Sequence, residues 1–187
     1  TSHLKTCGLW LEVGTGKTLI ATWKILQHIS EGVQNGYRPR ALVLMPPILL
    51  DQWANFLRKI PNLDVLIYRG TPAKRQKLDP YAHDVVLVSY DIFRLENTRL
   101  TLPDWGEDHQ NTLFICDEAT ALTNALSKIH TIVWCKLDPV RKGNGKLLLL
   151  SGTPISNPMN AYALTKLLDN KCYKSMTDFY NSHVKYL

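Results

Sequence analysis

A parallel α/β sheet is the fold this sequence predicts, and three observations predict it. Short apolar runs alternate with segments of helical period through most of the chain. Several of those runs are apolar at nearly every position, as in strands covered on both faces. The length, 187 residues, suits one well-cored domain of roughly 100–200 residues, and right-handed crossovers would join its strands.

The elements follow in order. Gly8–Glu12 is the first strand and runs into a glycine-rich turn, after which Thr18–Ser30 places Ile20, Trp23, Ile25, Leu26 and Ile29 near one helical stripe. Ala41–Met45 is the second strand. Pro46-Pro47 stops it, Pro47 suits the first turn of a helix, and Pro47–Ile60 carries Leu50, Trp53, Phe56, Leu57 and Ile60 at helical spacing. Val65–Tyr68 and Val85–Ser89 are further strands, with a short helix at Thr71–Leu78 between them. Asn97–Asn111, with Pro103, Asp104, Gly106 and little periodicity, reads as a loop. Leu113–Cys116 is the fifth strand and Asn124–Trp134 a helix. Asp138–Gly145, holding Pro139, Gly143 and Gly145, reads as a second loop before the sixth strand, Lys146–Leu150, and a helix at Pro158–Leu168. A polar, aromatic tail follows. The domain is accordingly placed at residues 1–170, with 171–187 as its edge or the start of a connection onward.

Composition excludes several classes. The longest mainly apolar stretch, Ala41–Leu50, is interrupted by two prolines and falls short of the roughly 18 residues of a membrane-spanning helix. Cys7, Cys116, Cys135 and Cys172 are scattered with no CxxC pair, which argues against zinc-ribbon or thioredoxin-like chemistry and for reduced thiols in an intracellular compartment, cytoplasm, nucleoid or nucleus. The N-terminus has no signal-peptide pattern and no initiating Met, and reads as a trimmed start. The 22 Lys+Arg outweigh 16 Asp+Glu for a net charge of +6, compatible with a polyanionic partner without demanding one. Two basic clusters, Arg69/Lys74/Arg75/Lys77 and Lys136/Arg141/Lys142/Lys146, read as solvated faces.

The turn after the first strand is Gly14-Thr15-Gly16-Lys17-Thr18. Strand, glycine turn and helix form the context of a phosphate loop: glycines let backbone N–H groups close around phosphate oxygens, and the helix N-terminus adds free donors and partial positive charge. Lys17 would reach the β- and γ-phosphates of ATP, and the Thr18 hydroxyl would ligate Mg²⁺. The full G-x-x-x-x-G-K-[ST] pattern is incomplete, since Leu11 stands where its first glycine would be.

The fifth strand ends in Asp117-Glu118-Ala119-Thr120. Two carboxylates there sit at the carboxyl edge of a parallel sheet, where such folds bind ligands. Asp117 is placed to hold Mg²⁺, and Glu118 to orient or deprotonate the attacking water.

Together these two motifs resemble motifs I and II of superfamily 2 helicases and translocases. Leu42–Pro47 followed by Leu49–Trp53 resembles motif Ia in its Swi/Snf-like form, Val86–Asp91 resembles motif Ib, and Leu150–Asn157 resembles motif III of that branch. The resemblance implies the first, N-terminal RecA-like domain of an ATP-driven DNA motor, a three-layer P-loop fold with a mostly parallel central sheet. It implies nucleic-acid contacts from Pro46, Gln52, Ser89 and Tyr90, and coupling between nucleotide and nucleic acid through Ser151 and Thr153. The partner it implies is DNA, double-stranded by analogy with the branch, with RNA left open. Thr120 departs from the Asp or His common in relatives, and Leu11 from their small or acidic residue.

Such motors complete their ATP site with arginines from a second RecA-like domain, and no arginine follows Asn157. The chain alone is therefore expected to hydrolyse ATP very slowly. A P-loop phosphotransferase, and a nucleotide-dependent nucleic-acid-binding module without turnover, are the alternatives.

Overall fold

The structure is a computed structural model and describes residues 5–12, 14–99, 111–153 and 155–183. The described residues form one six-stranded, all-parallel sheet. Its strands are β1 (Thr6–Trp10), β2 (Arg40–Met45), β3 (Val65–Tyr68), β4 (Val85–Ser89), β5 (Thr112–Cys116) and β6 (Lys146–Ser151), arranged β1-β6-β5-β2-β4-β3. Helices α1 (Lys17–Gln34), α2 (Leu50–Leu57), α3 (Pro72–Arg75), α4 (Tyr90–Arg99), α5 (Lys128–Lys142), α6 (Pro158–Leu168) and α7 (Met176–His183) complete it. No described helix is long and apolar enough to cross a membrane.

Alternation along the central strands sorts the core into two layers. Val43, Val85, Leu87, Ile115 and Leu148 face Ala21 and Ile25 of α1 and Leu50, Trp53 and Leu57 of α2. Leu42, Leu44, Val88, Phe114 and Leu149 face Phe93 of α4, Val133 and Leu137 of α5 and Leu164 of α6. Both faces of β2, β4 and β5 are thus buried, which is why those strands read as continuous apolar runs. The result is the expected three-layer α/β architecture.

Several boundaries differ from expectation, each for a tertiary reason. β1 lies at Thr6–Trp10 rather than Gly8–Glu12, because its register is set by β6, Thr6 opposite Leu147 and Trp10 opposite Ser151. The Pro47–Ile60 helix divides into a 3₁₀ turn, Pro47–Leu49, and α2, and the Thr71–Leu78 helix shortens to α3, capped by Thr71. The start of the expected Asn97–Asn111 loop lies in α4, and residues 100–110 lie outside the described residues. The Asn124–Trp134 helix and Asp138–Gly145 loop become one later helix, α5, whose cap Ser127 accepts a hydrogen bond from His130 N. Leu137 and Val140 are buried beyond its middle, and that burial carries the helix past Pro139. The ring deprives only the carbonyl of the exposed Cys135 of its helical partner. α7 falls in the stretch expected as an edge, and docks by packing Phe179 on Tyr162 at a ring separation of 5.5 Å.

The basic clusters are largely engaged within the fold. Arg69 pairs with Asp51 at 2.8 Å, Lys142 with Asp138 at 2.7 Å and Lys146 with Glu31 at 2.5 Å. Arg75 departs from the solvated-face reading, being buried with Glu96 and hydrogen-bonded through its guanidinium to Glu96 Oε1. Arg141 donates to Leu167 O at 2.8 Å.

Candidate nucleotide site

Because all strands run one way, the segments leaving β1, β2, β4, β5 and β6 emerge at one edge of the sheet. The phosphate loop leaves β1 and turns through Gly14 (φ 83°) and Gly16 (φ 89°), a left-handed conformation that a side chain would strain. A Cβ at either would meet nothing within 4 Å, so glycine is required there by backbone conformation rather than by crowding. Thr15 closes the turn, its Oγ1 donating to Glu12 O at 2.7 Å. Lys17 Nζ folds back onto the loop, donating to Leu11 O at 2.8 Å and Glu12 O at 3.0 Å.

A cavity of about 340 Å³ opens beside this loop, lined by Gly14, Gly16, Lys17, Thr18, Leu49, Gln52, Trp53, Asp117 and Glu118. The phosphate loop and the acidic strand end, far apart in sequence, therefore share one wall-to-wall site. Asp117 is buried and held on all sides. Its N–H donates to Leu44 O at 2.8 Å, its carbonyl accepts from Tyr90 Oη at 2.9 Å, Oδ1 accepts from Glu118 N at 3.0 Å, and Oδ2 accepts from Trp53 Nε1 at 2.8 Å. Glu118 adopts φ 49°, ψ 57°, a left-handed conformation rare for a residue with a side chain and costing of order 1–2 kcal/mol. That backbone turns the chain sharply off β5 into the 3₁₀ turn Ala119–Leu122. The neighbours are kept neutral: burial pushes the Cys116 thiol up to about 12 and, more than the adjacent Cys116 and Asp117, pushes the Tyr90 phenol well above its ordinary value.

The donor set suits a magnesium nucleotide. Thr18 and Asp117 offer a hydroxyl and a carboxylate, few protein oxygens, as suits an ion that keeps several waters and shares phosphate oxygens. The first turn of α1, from Lys17, presents N–H groups that have no partner within the helix to a phosphate.

The residues expected to meet nucleic acid are placed differently from one another. Pro46 is half-buried at the end of β2. Gln52 is exposed but lines the cavity beside Gly16 and Glu118, on the nucleotide side. Ser89 and Tyr90, expected to contact nucleic acid, are only 3% and 8% exposed. Ser89 Oγ instead accepts from Ile92 N at 3.3 Å in the first turn of α4, and Tyr90 supports Asp117. Of the coupling pair, Thr153 is exposed and Ser151 fully buried, with its Oγ accepting from Thr153 N at 3.2 Å. Ser151 O accepts from Leu11 N at 3.2 Å, so the end of β6 touches the start of the glycine-rich loop.

Two site features escaped the sequence reading. Trp53 reads from the sequence as one of the apolar residues at helical spacing. It is core, yet its indole N–H reaches the carboxylate. Asn157 and Asn160 form a reciprocal cap at α6, and Asn160 Nδ2 also donates to Thr123 O at 3.3 Å, linking the segment after β6 to the turn after Asp117-Glu118. The signal for that cap, Asn-Pro-x-Asn ahead of an apolar run, stands in the sequence.

Comparison with known proteins places these features in context. Residues 4–185 match the profile of the SNF2-related domain. Nuclear protein STH1/NPS1 of Saccharomyces cerevisiae is 29% identical over 174 residues, covering 90% of this chain and 12% of that protein. TATA-binding protein-associated factor mot1 of Aspergillus fumigatus is 34% identical over 133 residues, covering 69% of this chain and 6% of that protein. The chain thus spans a small part of the relatives it matches. Among solved structures, the Sulfolobus solfataricus SWI2/SNF2 ATPase core in complex with dsDNA superposes with a TM-score of 0.71 at 23% identity, over 93% of this chain and 33% of that one. The Pyrococcus furiosus Hef helicase domain gives 0.62 at 20% identity, over 88% and 34%.

Proposed function

This chain belongs to the SNF2-related domain family, whose members are ATPases, and from that premise we propose that it is the ATP-binding half of a motor that couples ATP hydrolysis to movement along double-stranded DNA. The observation that carries the proposal is the single cavity lined by Lys17, Thr18, Asp117 and Glu118. Residues 1–170 form the ATP-binding domain in this reading, and a second RecA-like domain in the parent protein closes the site. A nuclear or other intracellular setting follows from the kinds of relatives it matches.

When bound, ATP·Mg²⁺ supplies the phosphoanhydride and the divalent charge that neutralises it. Gly14, Thr15 and Gly16 shape the loop whose N–H groups take the phosphates, and Lys17 exchanges its hydrogen bonds to Leu11 O and Glu12 O for phosphate oxygens. Thr18 and Asp117 would hold the metal ion, the hydroxyl and the carboxylate supplying its protein oxygens. Glu118, turned into the cavity by its left-handed backbone, orients the attacking water and takes its proton. Ser151, hydrogen-bonded to Leu11, and the exposed Thr153 carry the nucleotide state toward the nucleic acid. Pro46, Gln52, Ser89 and Tyr90 are the candidates for contact with it, Pro46 and Gln52 being the more exposed, through sequence-independent phosphate recognition. ATP stays slow to hydrolyse on this chain alone, because a trans-acting arginine contributes about 10³–10⁵ in rate in comparable systems.

The test is ATPase activity of the full-length parent with and without duplex DNA, beside that of the 187-residue chain. DNA-stimulated turnover in the parent and near-background turnover in the chain are expected. Turnover in the parent indifferent to DNA or RNA would remove the motor reading, and robust stimulated turnover by the chain alone would remove the need for a second domain.

A further inference from the structure

Asp117 is reached from two neighbouring strand ends and from one helix. Leu44 comes from β2, Tyr90 from the start of α4 after β4, and Trp53 from α2. The first two fix its backbone, and among the described residues Trp53 and Glu118 donate to its carboxylate, one on each oxygen. A carboxylate with a single hydrogen-bonded oxygen can still swing about its terminal torsion, which is broad and soft. Donors on both oxygens fix its plane, and with it the direction of the remaining lone pairs.

The Trp53 donor is itself rigid. The side chain is 1% exposed and packed in the core layer with Ile25, Met45, Leu50 and Leu57, so the indole cannot turn away without emptying a large volume. The residue before it, Gln52, lines the nucleotide cavity. One turn of α2 thus presents adjacent residues to the nucleotide cavity and to the metal-side carboxylate.

We propose that Trp53 is a positioning residue of the nucleotide site: its indole N–H orients Asp117 toward the divalent cation, so that the tightness of metal-dependent nucleotide binding is set by where α2 lies. The proposal rests on the nucleotide-site reading above and deepens it. It gives the segment Pro46–Leu57 a second task, in which a displacement of α2 by any contact on its outer side is read at the metal through one hydrogen bond. Ordered partners behind a metal ligand commonly govern metal affinity by 10–100-fold.

The experiment measures ADP affinity of the full 187-residue chain with a fluorescent analogue, first in EDTA and then across a Mg²⁺ titration, for wild type, Trp53→Phe and Asp117→Asn. With each variant referred to its own affinity in EDTA, the Mg²⁺ concentration giving half of the tightening should rise roughly 10-fold or more in Trp53→Phe. Asp117→Asn should lose the tightening, and adding Trp53→Phe to it should change nothing further. Should Trp53→Phe fold poorly, site-specific β-(3-benzothienyl)alanine at position 53, which keeps the indole shape and replaces the N–H by sulfur, gives the same reading. Trp23→Phe, at a residue 58% exposed, is the control and should match wild type. An unmoved Mg²⁺ midpoint in a folded Trp53 variant, or an equal effect in the Asp117→Asn background, overturns the proposal. Failure of wild type to bind ADP even with Mg²⁺ overturns the nucleotide-site reading, and this proposal with it.

Discussion

Lys17 Nζ lies 2.8 Å from the carbonyl oxygen of Leu11. Leu11 is the residue at which the phosphate-loop pattern is incomplete, and the contact runs through its backbone, not its side chain. The departure from pattern therefore leaves the lysine's support intact, and the same holds for Glu12, whose carbonyl is the other partner at 3.0 Å. Leu11→Ala should leave nucleotide affinity within about twofold of wild type. Lys17→Ala should weaken it by at least 10- to 100-fold, the loss of charge-assisted hydrogen bonds each contributing about 1.5–3 kcal/mol. Titration with a fluorescent ADP analogue separates the two, and equal losses from both variants would show that the Leu11 side chain matters after all.

Glu118 combines a left-handed backbone with the proposed hydrolytic carboxylate. Glu118→Gln should keep ATP affinity and abolish turnover in the complete motor. Glu118→Gly, which relieves the strained φ, should raise thermal stability by up to about 1 kcal/mol while also losing turnover. For a domain of this size that is roughly 2–4 °C in Tm. A Glu118→Gln motor with unchanged turnover removes the catalytic role.

Arg75 and Glu96 form a buried pair tying α3 to α4. Glu96→Ala should cost about 3–5 kcal/mol by stranding the guanidinium without its charge partner, measured by urea denaturation. A cost below 1 kcal/mol would mean that Arg75 reaches solvent in the variant.

His28 is fully buried, with Nε2 against Asn111 O at 2.8 Å and Nδ1 without a hydrogen-bond partner among the described residues. Burial above all holds its pKa below the ordinary 6.5, outweighing the hydrogen bond to Asn111. The neutral ring is the folded form, and the unfolded chain takes up the proton first as pH falls. Stability should be flat above the ordinary histidine value and decline as pH drops below about 6.5, since protons then favour the unfolded state. Buried His130, shifted the same way by burial, adds to the slope. Denaturation midpoints between pH 7.5 and 5 for wild type and His28→Gln should show a shallower decline in the variant, and parallel curves would exclude His28 as a source.

Much of the site was legible because its chemistry demands particular residues in a fixed local order. Glycines ahead of Lys17-Thr18, and Asp117-Glu118 after an apolar strand, keep their meaning wherever the chain goes, since each acts through backbone or side-chain groups it carries itself. Six strands could be read from their apolar runs because burial on both faces leaves little room for polar residues. The helices were less legible. α5 runs through Pro139 because Leu137 and Val140 find a core there, a long-range gain that local propensity does not contain.

The sequence by itself determined the kind of fold, and it marked the glycine-rich loop and the acidic pair as the candidate site. Tertiary structure alone decided who supports whom. That Tyr90 reaches the Asp117 backbone depended on the pairing of β2 with both β4 and β5, and that Trp53 reaches its carboxylate depended on α2, packed over β3 and β4, bringing the indole there. Strand order and helix placement are set by the summed burial of two apolar layers, a property of the whole chain, and hydrogen bonds between distant residues follow only once those layers have closed.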